Sequence, residues 1–224
     1  MSAVPVITID GPSGTGKGTI AARVAEALGW HTLDSGALYR VLGLAATRAG
    51  VALDDAESLA GLAANLSLAF DGGRVLLAGE DVSDAIRSET AGMAASRVAV
   101  HAPVRAALLD WQRAAARAPG LVADGRDMGT VVFPDAVTKV FLTASADERA
   151  MRRYKQLKDK GMDASLADLR NEIRSRDERD SQRAVAPLRA APGSFELDTT
   201  ALGIQEVCDL VLTAVRRGAP GQRD

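Results

Sequence analysis

Gly11-Pro12-Ser13-Gly14-Thr15-Gly16-Lys17 has the residue types and spacing to cradle a phosphate. The run fits G-x-x-x-x-G-K. Its glycines let the backbone turn N–H groups inward where a Cβ would obstruct, and its lysine supplies a mobile cation for β- and γ-phosphates. The flanks suit that use. Val4 to Ile9, mostly β-branched, predicts a buried strand stopping at Asp10-Gly11, and Ile20, Ala21, Val24, Ala25 and Leu28 predict a helix over Thr19 to Leu28 closed by Gly29. A strand aims the loop and a helix N-terminus receives the anion. Gly18 stands where a Ser or Thr normally touches Mg²⁺, so the hydroxyl comes one place later at Thr19. Thr19 is a possible metal contact or a helix cap.

Positive charge gathers late in the chain. Residues 149 to 189 hold nine Arg and three Lys against seven Asp and Glu, in a protein whose net charge is -2. Arg176, Arg179, Asp180 and Arg183 follow i, i+3, i+4, i+7, which places them on one face if a helix continues that far. Guanidinium groups on a closing arm would neutralise a transferring phosphoryl group; a solvated helix laced with pairs such as Glu172–Arg176 and Arg176–Asp180 is the plainer alternative. Asp124-Gly125-Arg126-Asp127 follows a predicted strand, where parallel sheets bind ligands: Arg126 suits an acceptor phosphate, Asp127 a base or sugar donor. Asp34-Ser35-Gly36 with Tyr39-Arg40 repeats the logic. A monophosphate acceptor brings its own nucleophilic oxygen, so such a site needs cations more than a general base.

The elements that position these residues alternate. After the first strand and helix, Thr32 and Leu33 end a second strand at Asp34, and Ala37 to Arg48 reads as helix. Leu121 to Ala123, Lys139 to Leu142 and Phe195 to Leu197 are further strand candidates. Ser145 and Glu148 suit a capping box for a helix to about Lys160, and Asp54 with Glu57 suits another cap. Ile204, Val207, Cys208, Val211, Leu212 and Val215 form one stripe of a last helix, with Cys208 as core packing, before a frayed tail from Arg216. This is an α/β pattern with a parallel sheet covered on both faces. Leu66, Leu68 and Phe70, the turn Asp71-Gly72-Gly73, then Val75 and Leu77 predict a small antiparallel sheet inside a helical insert.

Composition excludes several classes. Cys208 is the only cysteine and there are two histidines, so neither a disulfide framework nor a zinc site is expected; His31 and His101 read as packing or surface residues. The weak net charge and an aromatic fraction of 4% argue against a nucleic-acid partner, since Tyr154 alone interleaves the arginines. No apolar run approaches a membrane span and no signal peptide is evident, so a cytoplasmic protein is expected. A nucleotide switch would want an Asn-Lys-x-Asp motif, which is absent. A kinase for a hydroxyl acceptor would want a base carboxylate, for which Asp34 is available.

Gly-Lys-Gly-Thr resembles the nucleoside monophosphate kinases. The stretches ITIDGPSGTGKGT from Ile7, LDSGALYR from Leu33, ADGRDMGTVVFPDA from Ala123 and RDERDSQRAVAPL from Arg176 resemble the bacterial cytidylate kinase family through nearly the whole chain. The resemblance implies a P-loop core with a five-stranded parallel sheet (about 1–48 and 102–224), an acceptor-binding insert (about 49–101) and a short lid (about 152–165). It implies transfer of the γ-phosphate of ATP to CMP or dCMP, with Mg²⁺, by a monomer. Residues 11 to 19 look like the ATP site. Ser96, Arg105 and Asp127 match cytosine contacts, and Arg126, Arg176, Asp180 and Arg183 match positions around the acceptor sugar and phosphate, with Ser35, Tyr39 and Arg40 close by. Lys17, Arg126, Arg176 and Arg183 are then the expected catalytic groups.

Overall fold

The computed structural model describes residues 4–71, 73–159 and 161–218. The chain divides into two units, Met1–Leu33 with Ala115–Asp224, and Asp34–Ala114.

The first unit is built on a five-stranded parallel sheet. Its strands are β1 (Val6–Asp10), β2 (His31–Asp34), β6 (Leu121–Gly125), β7 (Thr138–Thr143) and β8 (Phe195–Asp198), in the spatial order β2-β6-β1-β7-β8. All five residues of β1 and of β6 are buried, as strands in the middle of a covered sheet should be. Helices α1 (Lys17–Leu28) and α8 (Ile204–Gly218) meet over it: Ile20, Val24, Val207, Cys208, Val211 and Val215 form one core with Ile7, Ile9, Val140 and Leu142. Burial raises the Cys208 thiol above its ordinary range, in keeping with a packing role. Ile204 departs from the predicted stripe, because it opens α8 one turn before those partners begin and is 51% exposed. Helices α6 (Ala146–Asp159) and α7 (Leu166–Ser181) pack on each other through Ala150, Leu169 and Ile173.

β1 sends its chain towards β2, whereas its neighbour β7 sends its own towards β8. Connections that part in this way open a crevice beyond the carboxyl ends of the strands, where such sheets bind ligands.

The second unit begins with α2 (Ser35–Arg48), followed by α3 (Ala56–Ala64), a three-stranded antiparallel sheet of β3 (Leu68–Asp71), β4 (Arg74–Leu77) and β5 (Glu80–Asp81), and then α4 (Glu89–Val98) and α5 (Ala102–Ala114). Leu38, Leu42, Leu59, Val98, Val104 and Leu108 form its helical core, while Val41, Val75, Leu77 and Ile86 tie the small sheet to α2. The predicted turn at 71–73 includes Gly72, which lies outside the described residues. The predicted fray from Arg216 does not begin there, since α8 runs through Gly218; residues 219–224 lie outside the described residues.

Two helix starts differ from the sequence expectation. Asp55, not Asp54, caps α3 by accepting from Ser58 N at 3.1 Å, since Asp55 is the residue just outside the first turn. Ser145 Oγ does accept from Glu148 N at 3.2 Å, but the reciprocal half of the box is not made. Ser145 N donates to Thr200 Oγ1, and the Glu148 carboxylate accepts from Arg152 instead. Both histidines are partly exposed and meet backbone carbonyls: His31 Nε2 that of Ala118 at 3.0 Å and His101 Nε2 that of Leu53 at 2.9 Å.

Candidate active site

β1 delivers the chain to the phosphate loop, and the loop turns there because only glycine fits its first position. A Cβ on Gly11 would land on the Leu142 carbonyl oxygen of the adjacent β7. Gly14 and Gly16 take left-handed φ values of 83° and 88°, and α1 opens at Lys17, two residues earlier than its apolar spacing suggests. Its N-cap, Gly16, has no side chain to satisfy the first amides, so they remain available to an anion. Thr15 Oγ1 and Lys17 Nζ both donate to the Pro12 carbonyl, at 3.1 and 2.7 Å. Thr19 is exposed.

Lys17 is buried, and burial lowers its pKa to about 8, with Arg126 pushing the same way and Asp124, Asp10 and Asp180 opposing. Because the folded value lies below the unfolded one, protonated Lys17 is costly at neutral pH and the cost is relieved as pH rises through 8. A polyanion reverses that balance by favouring the charged form. ATP affinity is therefore expected to fall as pH rises past 8, by about tenfold between pH 7 and pH 9. Calorimetric titration of ATP at each pH measures this; Lys17→Arg, which keeps its charge, should flatten the profile.

The outer side of the loop is held by two arginines that the sequence reading passed over as individuals. Arg149, on the first turn of α6, donates to the Ser13 carbonyl (3.0 Å) and the Ala144 carbonyl (2.9 Å) and makes a two-pronged pair with Asp177 (2.9 and 2.5 Å). Arg152 donates to the Thr15 carbonyl at 3.4 Å and the Thr199 carbonyl at 2.5 Å, and pairs with Glu148 at 2.9 Å. Both arginines thus tie loop carbonyls, those of Ser13 and Thr15, to α6. The available signal was a pair of arginines at i, i+3 on the first helix after β7, beside the strand that carries the loop.

Arg126 and Asp180 form a close ion pair in which the carboxylate side chain is only 7% exposed. Asp124, Asp127 and Arg183 are buried as well, and Arg176 is paired with Glu172 at 3.7 Å. The predicted single helical face over Arg176, Arg179, Asp180 and Arg183 is not formed. α7 ends at Ser181, where the Asp180 carbonyl is taken by Leu188 N at 2.8 Å, so Arg183 reaches its buried position from the following turn. Arg179 is exposed and takes no part. The Asp180 carboxylate is engaged by Arg126, 54 residues away in sequence, rather than serving only a local pair on the helix.

Asp10, the last residue of β1, spends both carboxylate oxygens on backbone: Oδ1 accepts from Met128 N and Oδ2 from Gly129 N, each at 2.8 Å. Burial pushes its pKa up to about 6, against the pull of those two amides. It was not among the predicted site residues.

The second unit holds the remaining candidates. Asp34 Oδ1 caps α2 by accepting from Ala37 N at 2.9 Å; this gives it a structural task instead of the free posture a base for a hydroxyl acceptor would need. Ser35 and Tyr39 are buried one turn apart, and Arg40 donates to the Ile86 carbonyl at 3.0 Å. The Arg105 guanidinium lies 5.7 Å over the Tyr39 ring and donates to the Ala99 carbonyl at 3.3 Å. Ser96 is buried, and its hydroxyl has no hydrogen-bond partner among the described residues.

A parallel sheet ordered in this way, with a glycine-rich loop and a buried lysine after its central strand, defines a P-loop kinase. A family model described as cytidylate kinase matches residues 7–217. The chain is 59% identical to a cytidylate kinase of Stutzerimonas stutzeri, over 95% of each chain. It is 56% identical to a cytidylate kinase of Paraburkholderia phymatum, over 96% of this chain and 95% of that one. A crystal structure of a gluconokinase from Sinorhizobium meliloti 1021 is 17% identical with a TM-score of 0.51, covering 97% of this chain and 94% of that one, which is a likeness of fold alone. The chain belongs to the cytidylate kinase family.

Proposed function

We infer that this chain transfers the γ-phosphoryl group of ATP to CMP or dCMP, giving ADP with CDP or dCDP. The observation that carries the reading is local to the first unit. An anion-ready loop with a buried lysine stands at the carboxyl end of β1, and the Arg126–Asp180 pair stands next to it, beyond the end of the neighbouring β6, close enough for Arg126 to depress the Lys17 pKa. Fixed cations around a loop that binds polyphosphate suit a reaction whose difficulty is charge, since the acceptor phosphate is its own nucleophile. Lys17 neutralises the donor phosphates, Arg126, Arg176 and Arg183 hold the acceptor phosphate in line, and residues 11–19 bind ATP. Ser35, Tyr39, Arg40 and Asp180 support the acceptor.

Base choice follows from edge chemistry. Cytosine offers an N4 amino donor for the Asp127 carboxylate, and N3 and O2 acceptors for Arg105 and Ser96. Uracil presents an acceptor and a donor in place of N4 and N3, so the same groups would be left unpaired. Nothing in this set requires a 2′-hydroxyl.

A bound Mg²⁺ would supply positive charge to offset that of the donor phosphates. Among the described residues no three ligating side chains cluster. Asp124 is the residue that would hold such an ion, since a single carboxylate suffices for Mg²⁺ and this one is buried near the end of β6, where it acts on Lys17. Among the described residues no helix is long and apolar enough to cross a membrane. A cytoplasmic monomer acting on free nucleotides is the setting proposed.

A coupled ADP-release assay with Mg-ATP and each of CMP, dCMP, UMP, AMP and GMP tests the reading. Strong turnover is expected with CMP and dCMP and little with UMP. Equal rates with UMP would remove the base-reading argument, and no acceptor-dependent release from folded protein would remove the kinase.

A further inference from the structure

We propose that Asp10 is a positioning residue for base recognition, holding Asp127 in its reading position through the two amides that follow it. The proposal rests on Asp127 reading cytosine. Asp127 opens a single wide turn, Met128–Val132, and its own carbonyl accepts from Val131 N (2.9 Å) and Val132 N (3.2 Å). The turn thus fixes one side of the Asp127 backbone. The Met128 and Gly129 amides point the other way, and both end on the Asp10 carboxylate at 2.8 Å.

Only a carboxylate presents two acceptor oxygens and no donor at that point, so an amide there would face one backbone N–H with its own NH₂. The fit is tight from the other side too. A Cβ on Gly129 would lie 2.8 Å from Thr8 Oγ1 and 3.4 Å from Asp10 Oδ2. Asp10 is also the residue immediately before Gly11, so the strand end that leads into the phosphate loop carries the side chain that holds the turn after Asp127. Losing one of the two bonds frees the turn to move, and a misplacement near 1 Å in a recognition group costs up to about a hundredfold.

The test is the ratio of kcat/KM for CMP to that for UMP, which cancels losses common to both substrates. Asp10→Asn is expected to lower the ratio at least about tenfold, chiefly through KM for CMP. Val24→Ala, a core change in α1, should lower the melting temperature without moving the ratio. Asp127→Ala calibrates the experiment. If it abolishes the preference while Asp10→Asn keeps it, base reading stands and the positioning role is wrong. If Asp127→Ala itself keeps the preference, base reading falls and this inference falls with it. Should Asp10→Asn fail to fold, Gly129→Ala displaces the turn with the carboxylate intact, and an unchanged ratio there overturns the proposal.

Discussion

Lys17→Ala is expected to lower kcat by about a thousandfold while the protein stays folded. The lysine is the buried cation at the mouth of the loop, and removing one preorganised charge from a transferring group costs about 10²–10³ in rate, more where the charge developed is greater. Stability should move the opposite way. Lys17 is held protonated at neutral pH against a pKa that burial has brought down to about 8, so its truncation removes a desolvated charge. A variant that melts no lower than the parent yet turns over CMP about a thousandfold more slowly would separate the two effects. Rates within tenfold of the parent would show that the loop amides carry the donor phosphates without it. Single-turnover kinetics and a thermal melt on the same preparation suffice.

Arg126→Ala is expected to be nearly as damaging to kcat/KM for CMP, about 10²–10³-fold, and to destabilise the fold as well. Its partner Asp180 would be left as a buried carboxylate without its principal counter-charge, a change that costs about 3 kcal/mol or more. The double variant Arg126→Ala, Asp180→Ala distinguishes the roles. Removing both charges should recover much of the stability, because the stranded carboxylate is gone, but none of the activity under the proposal that the guanidinium meets the acceptor phosphate. Activity returning together with stability would mean that Arg126 serves only to neutralise Asp180. Chemical denaturation gives the first quantity and steady-state kinetics with varied CMP the second.

These predictions draw unequally on sequence and on tertiary structure. The phosphate loop was legible because the elements that form it are contiguous: strand, glycines, lysine and helix follow within about twenty residues, and its turn depends on local backbone geometry. The central strands of the parallel sheet were legible for a similar reason, since their apolar residues stand close together in sequence. The α8 stripe held from Val207 onward, where the helix has partners, and failed at Ile204, where it has none.

Charged residues were harder to read, since a helix rich in Arg and Asp has the same composition whether its face is solvated or buried. Periodicity put Arg183 on the α7 face, but the helix stops two residues earlier and the following turn brings it inward. It offered Arg176 as the local partner of Asp180; the fold supplied Arg126 from the end of another strand. Nothing in the run DGPSG says that Asp10 will bind amides at positions 128 and 129, or that Arg149 will reach the Ser13 carbonyl 136 residues back. The sequence alone therefore determined the loop, its lysine and the class of chemistry, because short-range spacing encodes them. Tertiary structure decided which carboxylates and guanidiniums face one another, because that depends on strand order, which brings distant chain segments side by side.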